Sequence, residues 1–295
     1  MENPSDDKVA TSPFVVVCWN VLAHIHTHHN AAGHGGEAKT LEAQTQRTAR
    51  HVRIVHALQR LAPDIVLLQE VDTTFIPLDW QPNQGPLPCG ERLDGYTPFR
   101  SYSDRGDGCA VLLRDAAFVR DREIETLYLP ASRQFGHKAA VVVHARRTGA
   151  SAPEPPIAIV CVHLKWGKPA QQQALLRAVT EHMRAGCPAV LGGDFNTSVE
   201  DDPPGCWGGI SEVLRSCGLE RVATPAGVPT GLDSSLRWNA SHVIDHLYAT
   251  PALEPAGDIE VGPLPREGAQ GPWGAAEDHD GSDHAWLRLS LRGQR

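Results

Sequence analysis

The stretch Ala189-Val190-Leu191-Gly192-Gly193-Asp194-Phe195-Asn196 joins a short apolar run to a Gly-Gly-Asp-x-Asn turn. Ala189 to Leu191 reads as a buried strand, and Asp194 and Asn196 stand where it ends. Taken alone, such an Asp is commonly a turn residue, because its side chain bonds its own backbone two residues on. Its meaning therefore depends on what stands at the ends of the other strands.

Working outward, Pro169 to Arg184 reads as a helix, with Leu176, Val179 and Met183 on one face and proline near its first turn. Before it, Ile157 to Leu164 is a strand with His163 near its end. Near the start of the chain, Phe14 to Trp19 reads as a strand finishing at Trp19-Asn20. A helix is expected over Thr40 to Leu61, from Ile54, Leu58 and Leu61 at i, i+4 and i+7, closed by Pro63. Ile65 to Leu68 comes next as a strand ending in Gln69-Glu70.

Further strands are expected at Ala110 to Leu113, Ala139 to His144, Val243 to Tyr248 and Ala285 to Leu291. Asp245 lies within the third of these, and Ser282-Asp283-His284 opens the last. The Pro/Gly-rich patches Pro82 to Gly90, Ala150 to Pro156, Pro203 to Gly209 and Gly262 to Gly274 read as surface loops. Many short strands mixed with a few helices predict a layered α/β fold, two mixed sheets packed face to face with helices outside. No internal repeat divides the chain, so residues 13–295 are expected to form a single catalytic domain behind a disordered leader at 1–12.

The bulk chemistry narrows the function classes. Of 295 residues, 41% are hydrophobic and 21% charged, an ordinary globular composition. No apolar run approaches the length of a membrane span, so no membrane association is expected. Met1 to Ser12 is polar and acidic, which argues against a secretory signal. Seven cysteines without C-x-x-C spacing, three of them (Cys18, Cys109, Cys161) in apolar runs, read as reduced thiols rather than a disulfide framework. A cytoplasmic, or nuclear, monomer is expected. The formal net charge of −8 argues against broad gripping of a duplex, but acidic groups gathered around a divalent ion still form a site for phosphate.

The strand-end residues matter as a set. Carboxylates, carboxamides and histidines recur where successive strands finish, and they converge if those strands share one end of a sandwich. Hard oxygen ligands of this kind suit Mg²⁺, or Mn²⁺, which takes one or two carboxylates together with waters and substrate phosphate. Phosphoryl transfer asks for positioning, charge neutralisation and an oriented water, not a covalent nucleophile.

In this order the motifs W-N, Q-E, a strand-end His, G-D-x-N, an internal Asp and S-D-H resemble the endonuclease/exonuclease/phosphatase superfamily, from Val16 to Leu291. The resemblance implies a four-layer α/β sandwich and a metal-dependent phosphoesterase. It implies Glu70 as the principal metal ligand, with Asn20 positioning metal or phosphate and Asp283 approaching the metal region. Asp194 would orient or deprotonate the attacking water beside Asn196, and His163 would contact the scissile phosphate. His284 would stabilise the transition state or handle a proton, its tautomer held by Asp245.

Three segments, Cys18-Trp19-Asn20-Val21-Leu22-Ala23, Asp107-Gly108-Cys109-Ala110 and His163-Leu164-Lys165, resemble the nocturnin, angel and Ccr-type deadenylase branch. That implies a 3′-exoribonuclease acting on single-stranded RNA such as poly(A), or an enzyme acting on a small nucleotide. The latter covers the 2′-phosphate of NADPH and 2′,5′-oligoadenylate; a DNA-repair nuclease and an inactive scaffold stand further off. Two segments depart from the branch: Trp166-Gly167 intervenes before Lys168, and Phe135-Gly136-His137-Lys138 is not centred on Asn. Lys165, Trp166, Arg105 and Asn239 are the candidate substrate contacts, Trp166 as a platform for a base. The histidine-rich stretch His24 to His34 carries glycines at its end, and reads as a loop or lid beside the site rather than a zinc centre of fixed geometry.

Overall fold

The computed structural model describes residues 12–23, 43–81, 85–102, 106–129, 132–149, 154–183, 186–197, 208–222, 224–225, 228–230, 243–263, 282 and 284–293. The leader to residue 11, the His24–His34 stretch, Arg105, Asn239, Asp283 and Trp207, Trp238 and Trp273 lie outside them.

Two sheets carry the fold. The first contains β1 (Phe14–Asn20), β2 (Ile65–Asp72), β3 (Tyr96–Tyr102), β4 (Asp107–Arg114), β12 (Leu253–Pro255), β13 (Glu260–Val261) and β14 (Leu287–Gly293), in the order β12-β14-β1-β2-β4-β3, with β13 also pairing β14. The second contains β5 (Phe118–Arg120), β6 (Leu127–Leu129), β7 (Ala140–Arg147), β8 (Ile157–His163), β9 (Ala189–Asp194), β10 (Glu220–Val222) and β11 (Asp245–Ala249), in the order β10-β11-β9-β8-β7-β5, with β6 also on β7. Each sheet is mixed: β1 runs parallel to β2 and β8 parallel to β9, while the other pairings are antiparallel.

Alternation along the strands builds the layers. Val16, Cys18, Leu67, Val111, Val143, Ile159, Cys161, Val190, Leu247 and Leu289 point between the sheets and are buried there. The opposite faces take Val17, Trp19, Val66, Leu68 and Leu112 to Ile54, Val55 and Leu58 of α1 (Gln44–Leu61). Val142, Val160, Val162 and Leu191 meet α2 (Pro169–His182) and α3 (Gly208–Ser216) through Leu175, Leu176, Val179, Ile210 and Leu214. The result is a helix–sheet–sheet–helix sandwich, the architecture the motifs implied. Cys18, Cys109 and Cys161 are buried free thiols in it.

Several boundaries differ from the sequence reading. Helix α1 begins at Gln44; Ala43 is its extended N-cap, its N–H bonded to the Gln46 side chain at 3.1 Å, and Thr40 lies outside the described residues. Helix α2 ends at His182 because Met183 turns extended. Val243 and Ile244 lie before β11, the Ile244 amide being taken by the Thr230 hydroxyl at 3.0 Å. Ala285 and Trp286 precede β14, with the Ala285 N–H on the Thr230 carbonyl at 2.9 Å. Within the Pro82 to Gly90 loop, Leu87 is buried in the cluster under α1. Helix α3 starts at Gly208, inside the stretch expected to be loop. Strands β3, β5, β6, β10, β12 and β13 were not foreseen: most have three residues or fewer, too short for a periodic signal, and β3 carries Pro98 among polar residues.

No described helix is long and apolar enough to cross a membrane.

Candidate active site

Strand direction gathers the polar residues. The parallel pairs β1/β2 and β8/β9 finish at one end of the sandwich, and antiparallel β11 starts there. In register, Asn20 pairs with Gln69, His163 with Asp194, and Asp194 with Asp245. The bond from Asn20 Nδ2 to Asp194 Oδ2, 2.9 Å, crosses from the first sheet to the second.

Glu70 is turned out of β2 by a bulge between Gln69 and Val71, with φ at +54°. Gln69 buries its amide between the sheets against Leu67 O and Cys161 Sγ. One Glu70 carboxylate oxygen accepts the Ala23 N–H at 3.1 Å, and the other lies 3.8 Å from His163 Nε2. The Ala23 amide is aimed by a turn in which Leu22, φ +55°, gives its N–H to Asn20 Oδ1. Arg50, fully buried in α1, donates to the Val21 carbonyl at 2.8 Å and ties that turn down.

Asn196, φ +53°, closes the Gly-Gly-Asp-x-Asn turn. Its N–H bonds Asp194 Oδ1 at 2.7 Å, and its side-chain amide reaches Leu164 O, Asp194 Oδ2 and His163 Nε2 at 3.0–3.2 Å. His246, buried and neutral, with its pKa pushed down to about 3 by burial and then by the Arg221 charge, bonds the Thr197 carbonyl behind this turn. Of the five non-glycine residues with positive φ among those described, Leu22, Glu70 and Asn196 line the site and His137 adjoins it. Strained backbone of this kind persists where the surroundings over-determine it, and it gathers at functional sites.

His284 Nδ1 lies 2.8 Å from Asp245 Oδ2, and its Nε2 lies 3.9 Å from Asp194 Oδ2. A buried carboxylate on Nδ1 fixes the proton there, so Nε2 faces the site as an acceptor. The main chain of His284 is held by Trp19, whose indole N–H donates to its carbonyl, and by Ser282 Oγ, which accepts its N–H and donates to Asn20 O. Asp194 is 1% exposed; burial above all, with Asp245 adding, pushes its carboxyl up to about 7 against the pull of His284, Asn20 and Lys138.

The structure thus brings Asn20, Glu70, His163, Asp194, Asn196, Asp245 and His284 together. Lys165 and Trp166 come after His163 on the adjoining loop, Lys165 half-buried and Trp166 59% exposed. Arg105, Asn239 and Asp283 lie outside the described residues. Two contributors were missed by the sequence reading. Thr230 bonds the Ile244 and Asp245 amides through its hydroxyl, and nothing local in the sequence marks it. Lys138, in the segment without a central Asn, places Nζ 2.7 Å from His163 Nε2; a lysine just ahead of a buried strand was the signal.

Two groups hold ligand atoms within 4.8 Å of one another: Glu70, His163 and Asp194, and Asp194, Asp245 and His284. A half-buried carboxylate beside a second carboxylate and an imidazole suits a divalent cation. Asp245 Oδ1, buried with no hydrogen-bond partner among the described residues, adds acceptor capacity beside it.

Comparison with known proteins agrees with the fold. No curated protein matches the sequence. Among solved structures, the human nocturnin catalytic domain with bound sulfate aligns at TM-score 0.60 and 20% identity, over 98% of this chain and 96% of that one. ANGEL2, described as a 2′,3′-cyclic phosphatase and solved with adenosine-2′,3′-vanadate, aligns at 0.65 and 16% over 97% of both chains. D. rerio TDP2 with a single-strand DNA product aligns at 0.63 and 14%, over 95% and 99%. At these identities the likeness is one of fold. The Endonuclease/Exonuclease/phosphatase family profile matches residues 17–284, and with this match the chain belongs to that family and is a phosphoester hydrolase.

Proposed function

We propose that the protein is a Mg²⁺-dependent exoribonuclease that shortens single-stranded RNA from its 3′ end and releases 5′-nucleotides. The observation that carries this reading is the exposed Trp166, which with Lys165 follows His163 of the Asp194–His284 centre on the adjoining loop. An exposed indole beside a phosphate-contacting group suits a base stacked at a chain end, and base–aromatic stacking contributes about 1–3 kcal/mol. The net charge of −8 leaves little basic surface for tracking a long duplex, which favours a short single strand.

Glu70 and Asn20 would hold the metal, joined by Asp283 as the family resemblance implies; a bound Mg²⁺ would supply charge neutralisation at the phosphate. Asp194, with its raised pKa, accepts a proton from the water that attacks phosphorus while Asn196 helps orient it. His163 contacts the scissile phosphate. His284 handles a proton through Nε2, which can accept one while Asp245 keeps the other proton on Nδ1. Free buried thiols at Cys18, Cys109 and Cys161 support residence in a reducing compartment, the cytoplasm or nucleus.

A second reading, removal of a phosphate from a small nucleotide, is favoured by the likeness to ANGEL2 solved with an adenosine vanadate. One assay set separates them: labelled poly(A), 2′,5′-oligoadenylate, adenosine 2′,3′-cyclic phosphate, NADPH, abasic duplex DNA and 5′-tyrosyl DNA, each with Mg²⁺. Stepwise shortening of poly(A) that vanishes in Glu70→Ala supports the exoribonuclease. Turnover of the small nucleotides with poly(A) intact replaces it with the second reading.

A further inference from the structure

We infer that Lys138 is a further catalytic residue, one that contacts the non-bridging oxygens of the scissile phosphate together with His163 and Asn196. The inference rests on the phosphoesterase reading of this site, whichever nucleotide it takes.

The segment that carries Lys138 is built to hold it. A 3₁₀ turn at Arg133–Phe135 leads into two left-handed residues, Gly136 at φ +66° and His137 at φ +60°. The His137 N–H closes the turn on the Ser132 carbonyl at 2.7 Å, and Phe135 is buried against α2. Gln171 of α2 donates to the Arg133 carbonyl at 3.1 Å. Gly136 packs so tightly that a Cβ there would lie 2.8 Å from Lys165 Cβ and Cγ and 2.5 Å from Gln171 Oε1. A left-handed histidine is strained backbone, and such strain is kept where the surroundings over-determine it, at functional sites above all. The neighbour positioned here, at the entry to β7, is Lys138.

The surroundings of its ammonium point to an anionic ligand. Nζ lies 2.7 Å from His163 Nε2 and 3.3 Å from Nδ1, and Lys138 forms no ion pair among the described residues. Asn196 Nδ2 approaches the same Nε2 at 3.0 Å. Two donors thus converge on one ring nitrogen, which lies 3.5 Å from Asp194 Oδ2 and 3.8 Å from Glu70 Oε1. A half-buried ammonium whose contacts are to an imidazole gains a partner of full opposite charge once phosphate arrives, and lysine binds phosphate as a point charge. Lysine here adds a positive charge beside His163, where a carboxamide would supply only a dipole.

The test uses inorganic phosphate as the probe, which separates this inference from the identity of the substrate. Phosphate binding to the full chain with Mg²⁺ is measured by calorimetry for wild type, Lys138→Met and Lys138→Arg, beside Mn²⁺ binding by electron paramagnetic resonance and turnover of bis(p-nitrophenyl) phosphate. Lys138→Met is expected to weaken phosphate binding and to lower kcat/KM, each by tenfold or more, with Mn²⁺ affinity within twofold of wild type. Lys138→Arg, which keeps the charge, is expected to recover most of the phosphate binding. Phosphate affinity unchanged in Lys138→Met overturns the inference. If Lys138→Met fails to fold, dimethylation of wild-type lysines with ¹³C replaces it: a Lys138 methyl resonance that phosphate leaves unmoved overturns the inference equally, and one that shifts supports it.

Discussion

Asp194 and Asp245 stand opposite each other across β9 and β11, and the His284 imidazole spans them, with Nδ1 2.8 Å from Asp245 and Nε2 3.9 Å from Asp194. Two titratable groups are thereby fixed by a single strand register, and the third, His284, is held in place by Trp19 and Ser282. A one-residue slip would send one of the carboxylates to the other face of the sheet.

The first prediction concerns the imidazole. Asp245→Asn keeps the shape but permits the other tautomer, so Nε2 can carry the proton and no longer accept. His284→Ala removes the group outright. Steady-state kinetics should show kcat lower by about 10²-fold or more in each, the range for a positioned acid–base group, with circular dichroism unchanged. Turnover near wild type in His284→Ala would remove this residue from the mechanism.

A second prediction concerns pH. The folded protein holds Asp194 at about 7, against 3.8 as the ordinary value, chiefly through burial. The folded state therefore binds this proton more tightly than the unfolded chain. Its contribution to stability is full below about pH 4, declines as pH rises, and is lost above about pH 7. In chelator, the urea midpoint of wild type should fall relative to Asp194→Asn between pH 5 and pH 8. Parallel midpoints across that range would contradict the assignment.

Metal binding gives a third. Glu70→Gln retains an acceptor for the Ala23 N–H but loses the charge. Mn²⁺ affinity should drop at least about tenfold, the lower end of what even an outer-shell partner costs. Equal affinity in the variant would move the ion away from Glu70.

The fourth tests why the motif needs two glycines. A Cβ on Gly193 would sit 1.9 Å from the Val162 carbonyl oxygen, and one on Gly192 would meet Leu247 and Leu67 at 2.7 Å. Backbone of β8 cannot yield as a side chain can. Gly193→Ala should lower Tm by about 6 °C or more, or abolish soluble expression, as overpacking does in a chain of this size. A thermal melt decides it.

Trp166 offers the fifth. Trp166→Ala should raise KM for a short oligoadenylate about fivefold or more with kcat nearly unchanged, the loss of one stacked base. Unchanged KM would leave the exposed indole without a part in substrate binding.

The sequence by itself determined the strands that carry the centre, the class of architecture and the ordered set of polar residues at strand ends. It could do so because buried strands announce themselves as apolar runs, and the residues that break each run stand out against them. Only the tertiary structure decided how those ends meet. Parallel and antiparallel pairing brings Asn20 onto Asp194 across the two sheets, at a separation of 174 residues that no local pattern encodes. The bulge that turns Glu70 outward, the Thr230 hydroxyl behind Asp245 and the Lys138 ammonium on His163 likewise arise from backbone geometry and contacts between distant segments. The shortest strands were silent for a related reason: two or three residues pair through backbone groups that every residue carries, and they leave no mark in side-chain order.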